Sequence, residues 1–489
     1  MAGGLVVGDV FRHGARAVPR RTAAALGEAA ITFAELDRAA NRHAAFLSRQ
    51  GISRGRRVAL WSATSLEVVP VFAALAKLGA PCAPLSPLWG PDELDPVLAQ
   101  LRPALLVVDD ERRPLAGAAA LPAGTAVLSL RELAAGAAGE DDGEVGAVVD
   151  ELDTHVVFYT SGSSGAPKGV VLSHRTSVLR TLAGALPERR GTMVCPYPLF
   201  HMGAWTIALQ QWQARDAVVL VERGDAGEIL AAVARHGATR LNCVPAVWAR
   251  ILRAEAGSAP GPGPLASLRF ADTGTSATPV EFLRRLAAGC PGAQVRVFYG
   301  STEAGCVSVL GHDDIERRPG SCGVPGPLTD VRVDGDGRLW VRGPLLFDGY
   351  LDDPGASAAA LVDGWYDTGD LAEVDGDGFL SIVGRVREVI RTGGESVAPA
   401  EVEAVLGEHP GVGEVAVVGL PDLEWGEVVC AVVVAAPGTP APDLDDLRAL
   451  CAGRLAPFKH PRRLAVLKRL PRTAATGQVQ RRLLVEQLG

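Results

Sequence analysis

The sequence predicts an α/β protein: a large N-terminal part of parallel strands covered by helices, followed by a small α+β module. Three observations carry this. Short apolar runs alternate repeatedly with amphipathic stretches of helical spacing. Almost half of the 489 residues are apolar and about a fifth are charged, enough for more than one hydrophobic core. After "LSIVGRVRE" the alternation gives way to a compact β/α pattern of about a hundred residues.

The elements follow in order. "RRVALWSA" reads as a strand, "LEVVPVFAALAKLG" as a helix and "APCAPLSP" as the next strand. "DAVVLVERG", "AGEILAAVARHG" and "RLNCVPA" repeat the unit, as do "SLRFADTG", "PVEFLRRLAAGC" and "VRVFYGS". No short fixed period links these units, so a solenoid is excluded. "THVVFYT" reads as a strand, and "LSHRTSVLRTLAGAL" after it as a helix. Two segments read as surface loops: the Ala/Gly/acid-rich stretch from Ala116 to Asp150, and the Pro/Gly-rich stretch from Glu255 to Ser267. We expect an N-terminal domain over 1–385 and a C-terminal domain over 386–489. The boundary falls at Arg385 to Glu388.

Composition excludes several classes. A net charge of −8 argues against a nucleic-acid partner. The eight cysteines are scattered, with no CxxC pair and no zinc spacing, so buried free thiols in a reducing cytoplasm are expected. The N-terminus lacks a signal-peptide core, and no run of eighteen apolar residues would span a membrane. Abundant Ala, Gly and Arg with little Lys hint at a GC-rich genome.

One loop carries chemistry by itself. "YTSGSSGAPKGV" (Tyr159 to Val170) combines glycines, which let backbone approach a phosphate, with donors from Thr160, Ser161, Ser163 and Ser164 around Gly162. Lys168 adds a positive charge. The lysine follows a proline and no hydroxyl residue follows it, so this is not the GxxxxGK[ST] loop.

The stretch resembles the phosphate loop of the adenylate-forming superfamily: acyl-CoA synthetases, nonribosomal peptide adenylation domains and beetle luciferases. Further motifs of that family follow in its order. "YPLFHMGAW" resembles the acyl-side segment, with His201 beside the acyl group. "FADTGTSATP" resembles the loop along adenine, with Thr275, Ser276 and Ala277. "FYGSTEAG" matches the Tyr-Gly-x-Thr-Glu motif through Tyr299, Gly300, Ser301, Thr302 and Glu303. "GWYDTGDLA" supplies Asp370 for the ribose, and "GRVREVIRTGGESVAPAEVE" supplies Arg385 and a hinge at Arg387.

The resemblance covers nearly the whole chain. It implies the adenylate-forming fold, with a mobile small domain, and a two-step reaction. A carboxylate attacks the α-phosphate of ATP to give acyl-AMP, and the CoA thiolate then takes the acyl group. Glu303 offers a hard oxygen ligand for Mg²⁺. Gly393 and Gly394 resemble the glycine pair bordering the pantetheine tunnel, and Lys459 is expected to contact CoA. Trp205, Val244, Gly274 and Cys306 are expected at the acyl pocket. Amino-acid-activating relatives carry a carboxylate in the stretch matching "LFHMGAW"; none stands here, so an acid without an α-amine is favoured. Ending at Gly489 without a carrier domain suits a free-standing ligase, in secondary metabolism or in fatty-acid use.

One position departs from the family. Its C-terminal motif reads approximately Leu-Pro-x-Thr-x-x-Gly-Lys, and the lysine bridges the substrate carboxylate and the α-phosphate. Here "LPRTAATGQVQ" holds Gln478 in its place, and the preceding loop is one residue longer. An amide donates a hydrogen bond but brings no charge. The expectation is a non-adenylating ligase, competent mainly in converting preformed acyl-AMP and CoA to the thioester, with a separate enzyme supplying the acyl-AMP. Two alternatives stay open: a full two-step synthetase with a relocated cation (Arg481, Lys468 or Lys459), and a non-catalytic protein that binds acyl-adenylate.

Overall fold

The computed structural model describes residues 4–160, 167–182, 190–256, 263–274, 278–386, 388–392, 395–422, 425–452, 454–473 and 477–489. It has the adenylate-forming architecture: a large N-terminal α/β part and a smaller C-terminal one.

Three sheets build the large part. In the six-stranded sheet, Val58–Trp61 lies between Cys82–Leu85 and Leu105–Val108, all parallel. The helix Val68–Leu78 that joins the first two is buried on every side, which its nearly unbroken apolar sequence requires. In the nine-stranded sheet Phe270–Gly274 runs parallel to both Arg240–Asn242 and Gln294–Ser301. A five-stranded antiparallel sheet pairs Trp365–Val374 with Arg338–Arg342 and with Leu380–Arg385. The small part folds around Val412–Asp422 and Gly426–Ala435, with Arg463–Val466 added in parallel.

Two of the three expected strand–helix–strand units close between neighbours. The middle one does not: Met193–Cys195 lies between Val218–Leu220 and Arg240–Asn242 and pairs with both. Two further expectations need correction. The stretch 116–150 is not simply loop. It holds the strand Ala126–Ser129 and the helix Leu130–Ala137, which starts on a reciprocal cap between Ser129 and Glu132. Gly136 lets that helix approach closely, since a Cβ there would lie 2.3 Å from the Phe46 ring. The phosphate loop is also not followed directly by a helix. Lys168–Ser173 first pairs antiparallel with Thr154–Thr160, and the helix spans only His174–Arg180. Tertiary pairing overrides the helical spacing there.

Seven of the eight cysteines are buried as expected, and Cys306 is exposed. Two buried imidazoles, His155 in the strand Thr154–Thr160 and His174, have ring centroids 5.0 Å apart. His174 accepts the Val7 N–H through Nδ1 (3.2 Å), and His155 meets the Ser177 hydroxyl (2.9 Å). Burial pushes His174 down to about 4, and burial, then the charge of His174, hold His155 well below the usual range. Both are therefore neutral in the fold, while the unfolded chain protonates them near pH 6.5. The unfolded state binds more protons below that value, so stability falls as pH drops from about 6.5 towards 4. Thermal denaturation should show this fall, and His174→Gln should flatten it. A wild-type midpoint constant across that window would contradict the assignment.

Candidate active site

The C-terminal ends of the central strands meet the antiparallel sheet at Asp370. Its backbone pairs with Arg385 across the ladder, which brings both side chains to one edge. The Tyr299 hydroxyl donates to one Asp370 oxygen at 2.6 Å, and Arg385 Nε donates to the other at 2.9 Å. Asp370 is 6 % exposed, whereas the Arg385 side chain is more than half exposed. Burial, then the charge of Asp370, push the Tyr299 phenol well above its usual range, so it remains a donor. Each carboxylate oxygen has two lone pairs, so Asp370 retains acceptors for further hydroxyl groups. Gly300 follows at a bulge where a Cβ would lie 2.0 Å from the Gly305 carbonyl. Ser301 Oγ accepts the Ala304 N–H at 3.0 Å and closes the turn.

That turn, Thr302–Glu303, rests on a residue that sequence reasoning missed. Arg180 is buried and donates to three carbonyls: Leu345 (2.7 Å), Thr302 (2.8 Å) and Glu303 (2.7 Å). Burial pushes it down to about 10, opposed by Glu303 and Asp348, so it stays charged at neutral pH. Tyr350 was missed too. Its hydroxyl donates to Glu303 Oε1 at 3.2 Å, and Lys168 Nζ stands 4.8 Å from the centre of its ring. Tyr350 thus links Lys168, which pairs with Thr160 across the ladder, to Glu303. No group of three or more metal-ligating side chains occurs among the described residues. A single carboxylate suits Mg²⁺ carried largely by substrate phosphates.

His201 precedes the helix Met202–Gln213. Its Nε2 is buried without a partner among the described residues, and burial pushes it down to about 4. Trp205, expected to line the pocket, is 2 % exposed and stacked on Phe72 at 3.7 Å. Val244 is buried immediately before helix Pro245–Ala256. Gly274 leaves room no other residue could leave, since a Cβ would lie 2.1 Å from the Phe298 carbonyl. Cys306 pairs with Gly300 across the ladder and is exposed.

In the small part, Gln478 closes a tight loop: its N–H donates to Thr473 Oγ1 (3.1 Å) and its carbonyl accepts the Thr473 N–H (2.8 Å). A Cβ on Gly477 would lie 3.9 Å from Ala246 Cβ, so this loop lies against the large part just past Val244. Lys459 is paired with Glu401. Arg481 is held by both oxygens of Glu403 (2.7 and 2.9 Å) and by Glu388 (3.1 Å). Ser161, Gly162, Ser163, Ser164, Thr275, Ser276, Ala277, Arg387, Gly393 and Gly394 lie outside the described residues.

The family model for AMP-binding enzymes matches residues 11–351, and that for their C-terminal domain matches 401–476. The chain belongs to the AMP-binding enzyme family. This AMP-binding enzyme is 35 % identical to a feruloyl-CoA synthase from a Streptomyces species, over 96 % of this chain and 97 % of that protein. It is 34 % identical to indoleacetate–CoA ligase of Aromatoleum aromaticum, over 95 % and 94 %. Among known structures it resembles ATP-bound MatB from Rhodopseudomonas palustris (TM-score 0.88, 28 % identity, 98 % of each chain). It also resembles o-succinylbenzoate CoA synthetase (MenE) from Bacillus subtilis with its acyl-adenylate (TM-score 0.85, 26 % identity, 97 % of each chain). No described helix is long and apolar enough to cross a membrane.

Proposed function

We propose that this AMP-binding enzyme is an acyl-CoA ligase that acts through acyl-AMP and is strong only in the second half-reaction. The acyl-CoA class is supported by CoA ligases matching over nearly the full length of the chain. In this reading Tyr299 lies on adenine, while Asp370 and Arg385 hold the ribose. Lys168 and Thr302 face the phosphates, and His201 borders the acyl group. Glu303 would hold Mg²⁺, which when bound offsets phosphate charge. A domain boundary at 385/386 with a hinge at Arg387 belongs to the same proposal, as do CoA contacts from Lys459 and the glycine pair.

The observation that carries the non-adenylating part is the seat of the Gln478 loop against Ala246. In this reading the residue at 478 serves the side of the cleft where carboxylate and α-phosphate would meet, and it brings no charge. Forming acyl-AMP brings two anionic groups together, as the carboxylate oxygen bonds to phosphorus and pyrophosphate leaves. Without a cation at position 478 to bridge them, that encounter is slow, even with Lys168 and Mg²⁺ at the phosphates. The second step needs no such cation. The CoA thiolate attacks the acyl carbonyl, and AMP departs with the former carboxylate oxygen. Arg481 and Lys459 are already engaged by carboxylates, which favours this reading over a rescue by either of them.

The test supplies ferulic or indoleacetic acid with ATP, Mg²⁺ and CoA in one reaction, and the matching preformed acyl-AMP with CoA in another. CoA ester should form at least about 10² faster from the adenylate. Equal rates would refute the half-reaction claim. Tight adenylate binding without any CoA ester would favour the adenylate-binding alternative.

A further inference from the structure

One face of the nine-stranded sheet leads away from the expected acyl pocket and becomes positively charged. Residues two apart on a strand share a face. The cross-strand register therefore sets Gly300 and Cys306 at one end, Gly274 and Phe298 next, then Asp272 and Arg296, and finally Phe270 and Arg240. Cys306, which pairs with Gly300, is exposed, so the register places the stripe's near end at the surface. Gly300 and Arg296 are about 13 Å apart along the strand.

The stripe is a ladder of rings and guanidinium groups. Arg296 lies 5.1 Å from the Phe298 ring centre and 4.5 Å from that of Phe270, and Arg240 lies 3.8 Å from Phe270. Asp272 neutralises Arg296 through paired bonds of 2.8 and 2.7 Å. Among the described residues no carboxylate pairs with Arg240 in this way. Its Nε donates to the Arg190 carbonyl at 2.9 Å, while its Nη1 is buried without a partner among the described residues. The residue is 8 % exposed. A buried charged donor without an acceptor is unfavourable, and a guanidinium is a donor only, so what completes it is an acceptor oxygen.

We propose that this stripe is the far wall of the acyl pocket, and that the acid carries at its remote end an oxygen acceptor, a ketone or a second carboxylate, bound by Arg240. The inference rests on the acyl-CoA ligase reading and names its substrate class. It assigns Arg240 a specificity role that the sequence motifs did not suggest.

The experiment presents three preformed adenylates with CoA: octanoyl-AMP, its terminal methyl-ketone analogue and its terminal carboxylate analogue. Starting from adenylates keeps the result independent of the adenylation step. At least one oxygen-bearing adenylate should be preferred over octanoyl-AMP by about tenfold or more in kcat/KM. The arm that wins distinguishes the carbonyl from the carboxylate. Arg240→Met should abolish the preference, and Arg240→Lys, which keeps a charged donor, should retain part of it. CoA ester from all three with octanoyl-AMP equal or preferred would overturn this inference and leave the ligase reading intact. No CoA ester from any of them would overturn the ligase reading itself.

Discussion

Gln478→Lys raises the rate of acyl-AMP formation by about 10²–10³. The effect is large because the change restores a full charge where two anions must meet. A unit charge 4 Å from a phosphate oxygen is worth about 4 kcal/mol at an effective dielectric near 20. Position 478 is held by contacts on both sides of residue 477. Residues 473 and 478 exchange hydrogen bonds, Arg472 donates to the Gly477 carbonyl at 2.7 Å, and Gly477 rests against Ala246. The measurement is acid-dependent exchange of pyrophosphate into ATP, wild type against variant. The ratio of the adenylation rate to the thioester-forming rate should rise. An unchanged exchange rate would mean that position 478 does not approach the reacting oxygens, or that another cation already serves them.

Arg180→Met lowers stability by at least about 3 kcal/mol and loosens the nucleotide site with it. Three carbonyls lose a charged donor at once, and each hydrogen bond of that kind is worth about 1.5–3 kcal/mol. Two of the three belong to Thr302 and Glu303, so the turn that presents both side chains loses its anchor. Arg180→Lys should fall between, since a point charge cannot span three acceptors as the planar fork does. Denaturant unfolding reads the stability, and a titration with AMP reads the site. A loss under about 1 kcal/mol would show that the turn is held by other contacts.

The sequence was most legible where one motif carries its own geometry. Asp370 and Arg385 lie on consecutive strands of one antiparallel ladder, and Tyr299 ends a strand whose apolar alternation is plain. Their meeting needed only the order of the motifs. Arg180 and Tyr350 were not legible. Arg180 sits in "SVLR" with nothing nearby to mark it, and its acceptors are more than a hundred residues away. The strand Lys168–Ser173 was hidden because its pairing partner lies across the loop. The packing of Trp205 was not legible either. A motif match locates a residue along the chain, while its stacking on Phe72 depends on a helix far upstream. The stretch 116–150 was misread on composition, although the Ser129–Glu132 spacing already marked a helix start.

The most direct measurement compares the two half-reactions of the wild-type enzyme in single turnover. Enzyme with acid, ATP and Mg²⁺ is quenched and assayed for acyl-AMP. Enzyme with the same acyl-AMP and CoA is quenched and assayed for thioester. The account predicts that the thioester appears faster than the anhydride by at least about 10². Anhydride formation as fast as thioester formation would contradict it.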